Sequence, residues 1–333
     1  MASAPDVTVV GAGPVGMTVA ALLGDAGHRV RVVERRRAPT DAPRAVHLDH
    51  HAARVLDAAG VMTALAPATE VMDVYEWRSA SGEVLLRLQP DGPLGWAGWP
   101  DSSMFHHPDL EAALARRLDG LATVTVERGT EVTSLAGLDG WVVGADGASS
   151  TVRDLAGTEM PDAAPSADWL IVDVVPAEPR PWTPCNVQVC DPARPTTAVS
   201  GGPGRRRFEF MVLPGEDPAH LATEASTWAL LEPWGYRPGN CRVERHALYR
   251  FAARMVETWA DGRVLLAGDA AHQMPPFAGR GLGAGLRDAM NLAWKLDLVL
   301  RSVADGRLLD TYGTERAAPV AFETQFSADL GAI

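Results

Sequence analysis

The sequence predicts an α/β fold, in which a Rossmann-like dinucleotide-binding domain carries an inserted domain built on an antiparallel β-sheet. Three short apolar runs, which begin at Val7, Trp141 and Val264, have the length of buried strands and lead into glycine or aspartate. Strands of this kind, followed by glycine-rich turns and helices, are typical of the parallel sheet in nucleotide-binding proteins. Between them, alternating polar and apolar segments are broken by Ser-Gly and Asp-Gly, which predicts antiparallel strands.

The N-terminal segment has the spacing of a dinucleotide-binding motif. After the strand 7–10 the chain reads Gly11-Ala12-Gly13-Pro14-Val15-Gly16, and an apolar helix follows. In this GxGxxG pattern Gly11 permits a tight turn, Gly13 lets the backbone approach a pyrophosphate, and Gly16 lets the helix pack on the strand. The context of strand, loop and helix favours a dinucleotide site over a glycine-rich turn without a ligand.

The next strand supplies the acidic residue of the same motif. Residues 29–33 are predicted to form a second strand, and Glu34 closes it, eighteen positions after Gly16. A carboxylate here accepts hydrogen bonds from ribose hydroxyls and argues against a 2′-phosphate, which indicates the ADP half of FAD or NAD. The adjacent run Arg35-Arg36-Arg37 is either a phosphate clamp or a solvated edge.

A third unit lies near the C-terminal end and suits a polar, phosphorylated ligand. The strand 264–267 ends at Gly268-Asp269, and a Pro/Gly-rich crossing from Pro275 to Gly285 precedes a helix that extends to Leu300. Glycines let the backbone approach a ligand closely, and a helix N-terminus offers free N–H groups and the positive end of a dipole. Taken alone, this unit fits an ordinary strand-to-helix crossover equally well.

Length, composition and charge restrict the classes of function. The chain has 333 residues, 47% hydrophobic and 22% charged, which describes a globular protein large enough for two joined lobes. Its 30 Lys and Arg against 42 Asp and Glu give a net charge of −12, which argues against nucleic acid or an anionic membrane as partner. The three cysteines lack metal-site spacing, and no run spans a membrane or forms a signal peptide, so we expect reduced thiols, no metal and a cytoplasmic protein.

The domain boundaries are predicted where the sequence pattern changes. Residues 1–70, 101–164 and 251–333 are assigned to the dinucleotide-binding domain, and residues 71–100 and 165–250 to a substrate-binding sheet domain. One helix, 219–231, is expected within the sheet domain. The strands expected there are 71–77, 83–88, 170–175, 185–189, 207–213 and 242–249.

The sequences of the motifs and their order along the chain resemble those of one protein family. The segments that carry the resemblance are VVGAGPVGMTVA, PRAVHLD (43–49), MFHHPDLEAAL, VVGADGASSTVR, CDPARPTT and GRVLLAGDAAHQMPPFAGRGLGAGLRDAMNLAWKL. They resemble the FAD-dependent aromatic hydroxylases of the para-hydroxybenzoate hydroxylase fold, which are class A flavoprotein monooxygenases. Within these, the chain is most similar to the 3-(3-hydroxyphenyl)propionate hydroxylase group. The resemblance covers essentially the whole chain and implies that family's FAD domain and inserted substrate sheet, without the C-terminal thioredoxin-like domain.

The resemblance also implies roles for individual residues. The residues implied to hold FAD are Gly11, Gly13, Gly16, Glu34, Arg35, Arg44, Asp146, Gly147, Gly268, Asp269, Pro276, Gly281, Leu282 and Gly283. The residues implied to take part in catalysis are Arg44, His47, His107 and Arg280. A structural role is the alternative for both histidines. The family usually has Gln at positions 107 and 280 and commonly Arg at position 149, so this chain departs from the pattern there.

The implied activity is an NADH- or NADPH-dependent hydroxylation or epoxidation of a phenolic or polyketide-like aromatic, by a monomer or homodimer. One oxygen atom of O₂ would reach the ring through a flavin C4a-hydroperoxide. Two alternatives remain. His107 and Arg280 suggest a non-hydroxylating flavin tailoring enzyme. The short connection 132–141 and the chain end at Ile333 suggest a flavin-fold binding protein without turnover.

Overall fold

A six-stranded sheet, called the parallel sheet below, forms the centre of the computed structural model, which describes residues 4–39 and 44–331. Five strands run parallel, and a short sixth strand pairs antiparallel at one edge. In spatial order the strands are Ala260–Asp261, Val264–Leu266, Trp141–Gly144, Val7–Val10, Val30–Glu34 and Val124–Arg128. The three strands that the sequence singled out are neighbours, so Gly11, Asp146 and Asp269 follow strands that end at one edge.

Helices cover the parallel sheet, which explains why its strands are apolar on both faces. The helix Pro14–Asp25 follows the buried strand Val7–Val10 and packs against the long helix Gly281–Leu300. In chain order the described α-helices are Pro14–Asp25, His50–Ala58, Met62–Leu65, His107–Asp119, Thr151–Leu155, Pro218–Leu221, Glu224–Leu231, Gly281–Leu300 and Thr311–Gly331. Short 3₁₀ turns lie at Ala66–Ala68, Glu232–Trp234, Gly268–Ala270, Pro276–Ala278 and Gly306–Asp310.

Two of the predicted helices were wrong in their extent. The predicted helix 219–231 is two helices, because the Thr223 hydroxyl accepts a hydrogen bond from the Ser226 N–H and caps the second one. The long helix begins at Gly281 and not after Gly285, although glycine disfavours helix. Packing decides here, because a Cβ on Gly285 would lie 2.7 Å from Val15 Cγ2.

Eight strands form a second sheet, called the mixed sheet below. In spatial order they are His272–Gln273, Cys241–Met255, Asp162–Pro176, Arg206–Met211, Thr196–Ser200, Asn186–Cys190, Tyr75–Ser79 and Val84–Leu88. The prediction of a wholly antiparallel sheet was wrong in one place, because Tyr75–Ser79 and Asn186–Cys190 pair in parallel. The strand Thr196–Ser200 was not predicted. The boundaries placed at 164–165 and 250–251 fall inside two continuous strands.

The two faces of the mixed sheet have different neighbours, because successive side chains of a strand point to opposite sides. On one face Leu170, Val172, Phe208 and Phe210 form an apolar core, which also includes Leu231 of the helix Glu224–Leu231. The residues between them, such as Ile171 and Glu209, therefore point to the other face, which lines a large cavity. We call this second side the inner face.

A three-stranded sheet adjoins the cavity. Its strands, in spatial order, are His47–Asp49, Ser102–Phe105 and Thr69–Val71, and all pairs are antiparallel. It carries His47, and the helix His107–Asp119 begins just after its central strand. Pro43, the first residue of the motif 43–49, lies outside the described residues.

Candidate cofactor and substrate site

A cavity of about 860 Å³ extends from the carboxyl edge of the parallel sheet to the inner face of the mixed sheet. Ligands of doubly wound sheets bind at this edge, and the volume lies in the usual range for a cofactor or substrate site. Most residues that the sequence assigned to cofactor or catalysis line it: Gly11, Gly13, Glu34, Arg35, Arg44, His47, His107, Asp146, Gly147, Asp269, Pro276, Arg280, Gly281 and Leu282. Gly16, Gly268 and Gly283 are not among the lining residues.

The GxGxxG loop has distinct requirements at its three glycines. Gly11 has a φ of +107°, and a Cβ there would lie 2.3 Å from the Ala145 carbonyl oxygen. A Cβ on Gly16 would lie 2.1 Å from the Gly11 carbonyl oxygen, so the helix packs directly on the loop. A Cβ on Gly13 would meet nothing within 4 Å, and no side chain caps the helix that begins beside it. The free N–H groups of this helix terminus can therefore receive a phosphate.

Glu34 is held at the strand end by the loops around it. Its Oε2 accepts a hydrogen bond from the Ala12 N–H at 2.9 Å, and its Oε1 accepts one from the Arg36 N–H at 2.8 Å. Each carboxylate oxygen keeps a lone pair for a ribose hydroxyl. Arg35 is exposed and lines the cavity next to it.

The side chain of Asp146 stabilises the loop that follows the strand Trp141–Gly144. The carboxylate accepts hydrogen bonds from the Ser150 hydroxyl at 2.5 Å and from the Val152 N–H at 3.1 Å. Burial raises the pKa of Asp146, and these hydrogen bonds oppose that shift. Arg153, which sequence reasoning did not single out, donates a hydrogen bond to the Ala270 carbonyl at 3.3 Å. This contact connects the Asp146 loop to the turn Gly268–Ala270.

A buried ionic network stabilises the Gly268-Asp269 segment that follows the strand Val264–Leu266. Asp288 is 0% exposed, and its Oδ2 accepts hydrogen bonds from the Gly268 N–H at 3.0 Å and from His272 Nε2 at 2.6 Å. Its Oδ1 accepts one from Arg316 Nε at 2.7 Å. His272 thus helps to shape the loop, and the sequence analysis singled out neither Asp288 nor Arg316.

Asp269 projects into the cavity with no hydrogen-bond partner among the described residues. Surrounding protein raises the pKa of its carboxyl by desolvation, while the positive charges of His272, Arg44 and His107 act in the opposite direction. The Asp269 side chain is nevertheless exposed to the cavity, so its carboxylate oxygens are accessible to a ligand there. Hydroxyl groups of a bound cofactor can donate hydrogen bonds to these oxygens.

His47 is committed to the loop that precedes the long helix. Its Nδ1 lies 3.2 Å from the Gly279 carbonyl oxygen and its Nε2 lies 2.7 Å from the Ser102 hydroxyl. Because a carbonyl only accepts, Nδ1 carries the proton and Nε2 accepts from Ser102. Burial lowers the pKa of His47, which favours this neutral form. These contacts position the loop.

The other proposed catalytic residues have different surroundings. His107 is buried, with its Nε2 3.2 Å from Glu111 Oε1, and its Nδ1 has no partner among the described residues. Arg280 lies 3.9 Å from Glu323 on the helix Thr311–Gly331 and 5.2 Å above the ring of Phe326. Arg44 is exposed towards the cavity. The charge of Arg280 is therefore partly compensated by the protein itself.

Charged residues on the inner face were missed by the sequence analysis. Arg207 donates to both carboxylate oxygens of Asp173, at 2.7 Å and 3.0 Å, and to the carbonyl oxygen of Arg44. Glu209, two positions further along the strand, also lines the cavity. The alternation of Arg207, Phe208, Glu209 and Phe210 in one strand was the available signal, because it places two charged residues opposite an aromatic core.

The described residues contain no group of three or more His, Cys, Asp or Glu side chains arranged to hold a metal ion. None of the helices in the described part of the chain has the length and apolar character needed to cross a membrane.

The curated relatives include proteins that are named as hydroxylases. One, from Rhodococcus jostii (strain RHA1), is named "Probable NADH-specific resorcinol 4-hydroxylase" and is 37% identical over 350 residues, with 99% of this chain and 66% of that protein covered. Another, the 3-(3-hydroxy-phenyl)propionate/3-hydroxycinnamic acid hydroxylase of Mycolicibacterium smegmatis, is 35% identical over 331 residues, with 94% of this chain and 58% of that protein covered. The chain thus spans less than two thirds of the length of these relatives.

Solved structures of aromatic hydroxylases have the same fold. The p-nitrophenol 4-monooxygenase of Pseudomonas putida DLL-E4 matches with a TM-score of 0.86 and 25% identity, over 99% of this chain and 89% of that chain. A ternary complex of aklavinone-11 hydroxylase with FAD and aklavinone matches with a TM-score of 0.82 and 27% identity, over 97% of this chain and 68% of that chain. The FAD binding domain family matches residues 4–137 and 140–327. These similarities confirm the predicted resemblance, and the chain belongs to the FAD binding domain family of the flavin-dependent aromatic hydroxylases.

Proposed function

We propose that this protein is an FAD-dependent monooxygenase that uses NADH or NADPH and O₂ to hydroxylate or epoxidise a phenolic or polyketide-like aromatic. One observation carries the proposal: a single cavity joins the dinucleotide edge of the parallel sheet to the inner face of the mixed sheet. A cofactor bound at that edge and an aromatic bound on that face would share one enclosed space. The name of the Rhodococcus relative supports NADH as the reductant.

The residues at the parallel-sheet edge fit FAD. Glu34 offers acceptors for the ribose of the ADP half, and the open space above Gly13 gives a pyrophosphate access to the helix terminus. Asp269 offers an unsatisfied acceptor further along the cavity, where the ribityl hydroxyls would lie. FAD, when bound, supplies the redox chemistry, since it accepts a hydride and passes one oxygen atom of O₂ to an electron-rich ring.

The long helix supplies positive potential to the flavin end of the site. Its first backbone hydrogen bond runs from the Ala284 N–H to the Arg280 carbonyl, so the N–H groups of Gly281 to Gly283 have no partner within the helix. Together with the helix dipole they stabilise negative charge on a ring placed against them. Because Glu323 partly compensates Arg280, we assign this task to the helix terminus and not to the Arg280 side chain.

Beside its charged residues, the inner face offers apolar and aromatic surface for the aromatic substrate. Trp77, Ile171, Val199 and Phe251 line the cavity, and the rings of Tyr75 and Trp77 stack with centroids 4.3 Å apart. Apolar walls of this kind bind a ring and limit the access of water to the reacting atoms.

The proposal is tested with the full chain reconstituted with FAD. We expect the visible flavin spectrum to bleach on adding NADH or NADPH without oxygen, and faster when resorcinol or a related phenol is present. With oxygen, mass spectrometry should detect a product that has gained one oxygen atom. Flavin that is reduced but gives no oxygenated product from any arene would favour a non-hydroxylating flavoenzyme. Failure to bind FAD would refute the proposal.

A further inference from the structure

We propose that Glu209 is a catalytic residue that accepts the hydroxyl proton of the aromatic substrate. The inference rests on the function proposed above and specifies its substrate class, an arene with a free ring hydroxyl. Glu209 is a buried carboxylate that lines the cavity and has no hydrogen-bond partner among the described residues, so its oxygens are free to accept a hydrogen bond from a bound ligand.

The fold places the Glu209 side chain on the substrate side of the cavity. Its strand, Arg206–Met211, lies in the middle of the mixed sheet, paired with Thr196–Ser200 on one side and with Asp162–Pro176 on the other. Phe208 and Phe210 point into the apolar core, so Glu209 points to the inner face. It lines the cavity and is 7% exposed.

The carboxylate of Glu209 has no hydrogen-bond partner among the described residues. Other buried acids in this molecule are satisfied by the protein. Asp173 pairs with Arg207, and Glu76 pairs with Arg78 and Arg87 at 2.6 Å and 2.5 Å. Burial of an unpaired carboxylate costs free energy, so such a group is expected where a ligand provides the missing donor.

Four charged or titratable groups influence Glu209 from its own and neighbouring strands. Arg207 precedes it by two positions, Asp173 and Arg245 lie on the next two strands, and Tyr75 lies on a more distant strand of the same face. Desolvation raises the pKa of Glu209 to about 7, the charge of Asp173 adds to this shift, and Arg207 and Arg245 oppose it. A group with this pKa is suited to general-base catalysis near neutral pH.

The proposed step is a proton transfer without change of oxidation state. The O–H bond of the substrate breaks, its electron pair stays on the phenol oxygen, and the proton bonds to a carboxylate oxygen of Glu209. The resulting phenolate releases electron density to the ortho and para carbons of the ring, which makes them better nucleophiles towards the incoming electrophilic oxygen atom. The proton returns to solvent or product after oxygen transfer.

The test compares E209Q with the wild-type holoenzyme in the hydroxylation of resorcinol between pH 6 and 10. General bases contribute about 10²- to 10⁴-fold, so we expect E209Q to be at least about a hundredfold slower at pH 7. The wild-type rate should rise with an apparent pKa near 7 and then level off. The E209Q rate should instead keep rising towards the pKa of a free phenol, about 10.

The control is E76Q, which replaces another buried glutamate of the mixed sheet and should keep the wild-type pH profile. If the wild type hydroxylates an arene while E209Q keeps its rate and pH profile, the role of Glu209 is refuted and the proposed function stands. If the wild type oxygenates no arene at any pH, the proposed function itself fails.

A second measurement does not depend on the folding of a variant. At pH 8, where the Glu209 carboxyl should be mostly ionised, binding of resorcinol to the wild type should produce an infrared difference band of the carboxylate stretch, because the ring hydroxyl donates a hydrogen bond to Glu209. The dimethyl ether of resorcinol, which has no hydroxyl proton, should not produce this band. Absence of the band with bound resorcinol, or its appearance with the ether, would contradict the inference.

Discussion

Replacing Asp288 by Asn (D288N) removes one charge from the network that anchors Gly268 and Asp269, while the side-chain shape is nearly kept. Asp288 is 0% exposed, and Arg316, its ion-pair partner at 2.7 Å, is 7% exposed. Removal of one member of a buried ion pair costs about 3–5 kcal/mol, because it leaves the other charge buried and uncompensated. We therefore expect D288N to lose about 3–5 kcal/mol of unfolding free energy.

The assay is urea unfolding of the full chain at a fixed FAD concentration, followed by tryptophan fluorescence, since bound ligand itself stabilises the folded state. D297N is the matched control on the same helix. Asp297 pairs with His28 and Arg301, but its side chain is 25% exposed. Such pairs contribute about 0.2–1 kcal/mol. A loss below about 1 kcal/mol in D288N, similar to that in D297N, would refute the reasoning.

The pH dependence of this difference follows from the pKa of Asp288. Burial alone would raise it, but the charges and hydrogen bonds of His272 and Arg316 outweigh burial and hold the pKa below its usual range. Because the folded-state pKa lies below the unfolded value of about 3.9, the carboxylate stabilises the fold above that pH. The stability gap between wild type and D288N should shrink as the pH falls below about 4 and through the folded-state pKa. A gap that grows on acidification would contradict the assignment.

Three further substitutions test the cofactor end of the cavity. G13V fills the open space beside the helix terminus, so FAD affinity should fall at least about tenfold in a fluorescence titration, with little change in the stability of the FAD-free chain. E34A removes the ribose acceptor and should weaken FAD by about tenfold, or about 1.4 kcal/mol, in the same titration. R280Q should alter the stopped-flow rate of flavin reduction by less than about fivefold, because Arg280 is partly exposed and Glu323 partly compensates its charge; a larger loss would support a catalytic role for Arg280.

The parts of the fold and site that could be predicted are those with local causes. Gly11 and Gly16 are required by contacts within one turn and its neighbouring strand, so the motif spacing, together with the strand before it and the helix after it, was enough to predict a dinucleotide site at this edge. The strands ending near Gly144 and Leu266 were recognisable because burial on both faces makes such strands uniformly apolar.

The parts that could not be predicted depend on contacts between distant segments. Asp288 meets Gly268 and Arg316 across twenty and twenty-eight positions, and nothing in the local sequence marks it as an anchor. The start of the long helix was misplaced because the helix propensity of glycine was given more weight than the packing of Gly285 against Gly268. The parallel strand pair likewise depends on a long crossover, which local patterns do not encode.

The segment 44–49, which includes the strand His47–Asp49, contacts both halves of the cavity. From the cofactor side, His47 holds the Gly279 carbonyl just ahead of the long helix. From the substrate side, Arg207 donates to the Arg44 carbonyl while its guanidinium is fixed by both oxygens of Asp173. A bound aromatic that moves the Arg207 side chain would therefore also move the segment 44–49. This segment contacts the loop before the long helix through His47. Since rigid hydrogen-bonded contacts transmit small displacements, we expect the rate of flavin reduction to depend on whether the aromatic site is filled.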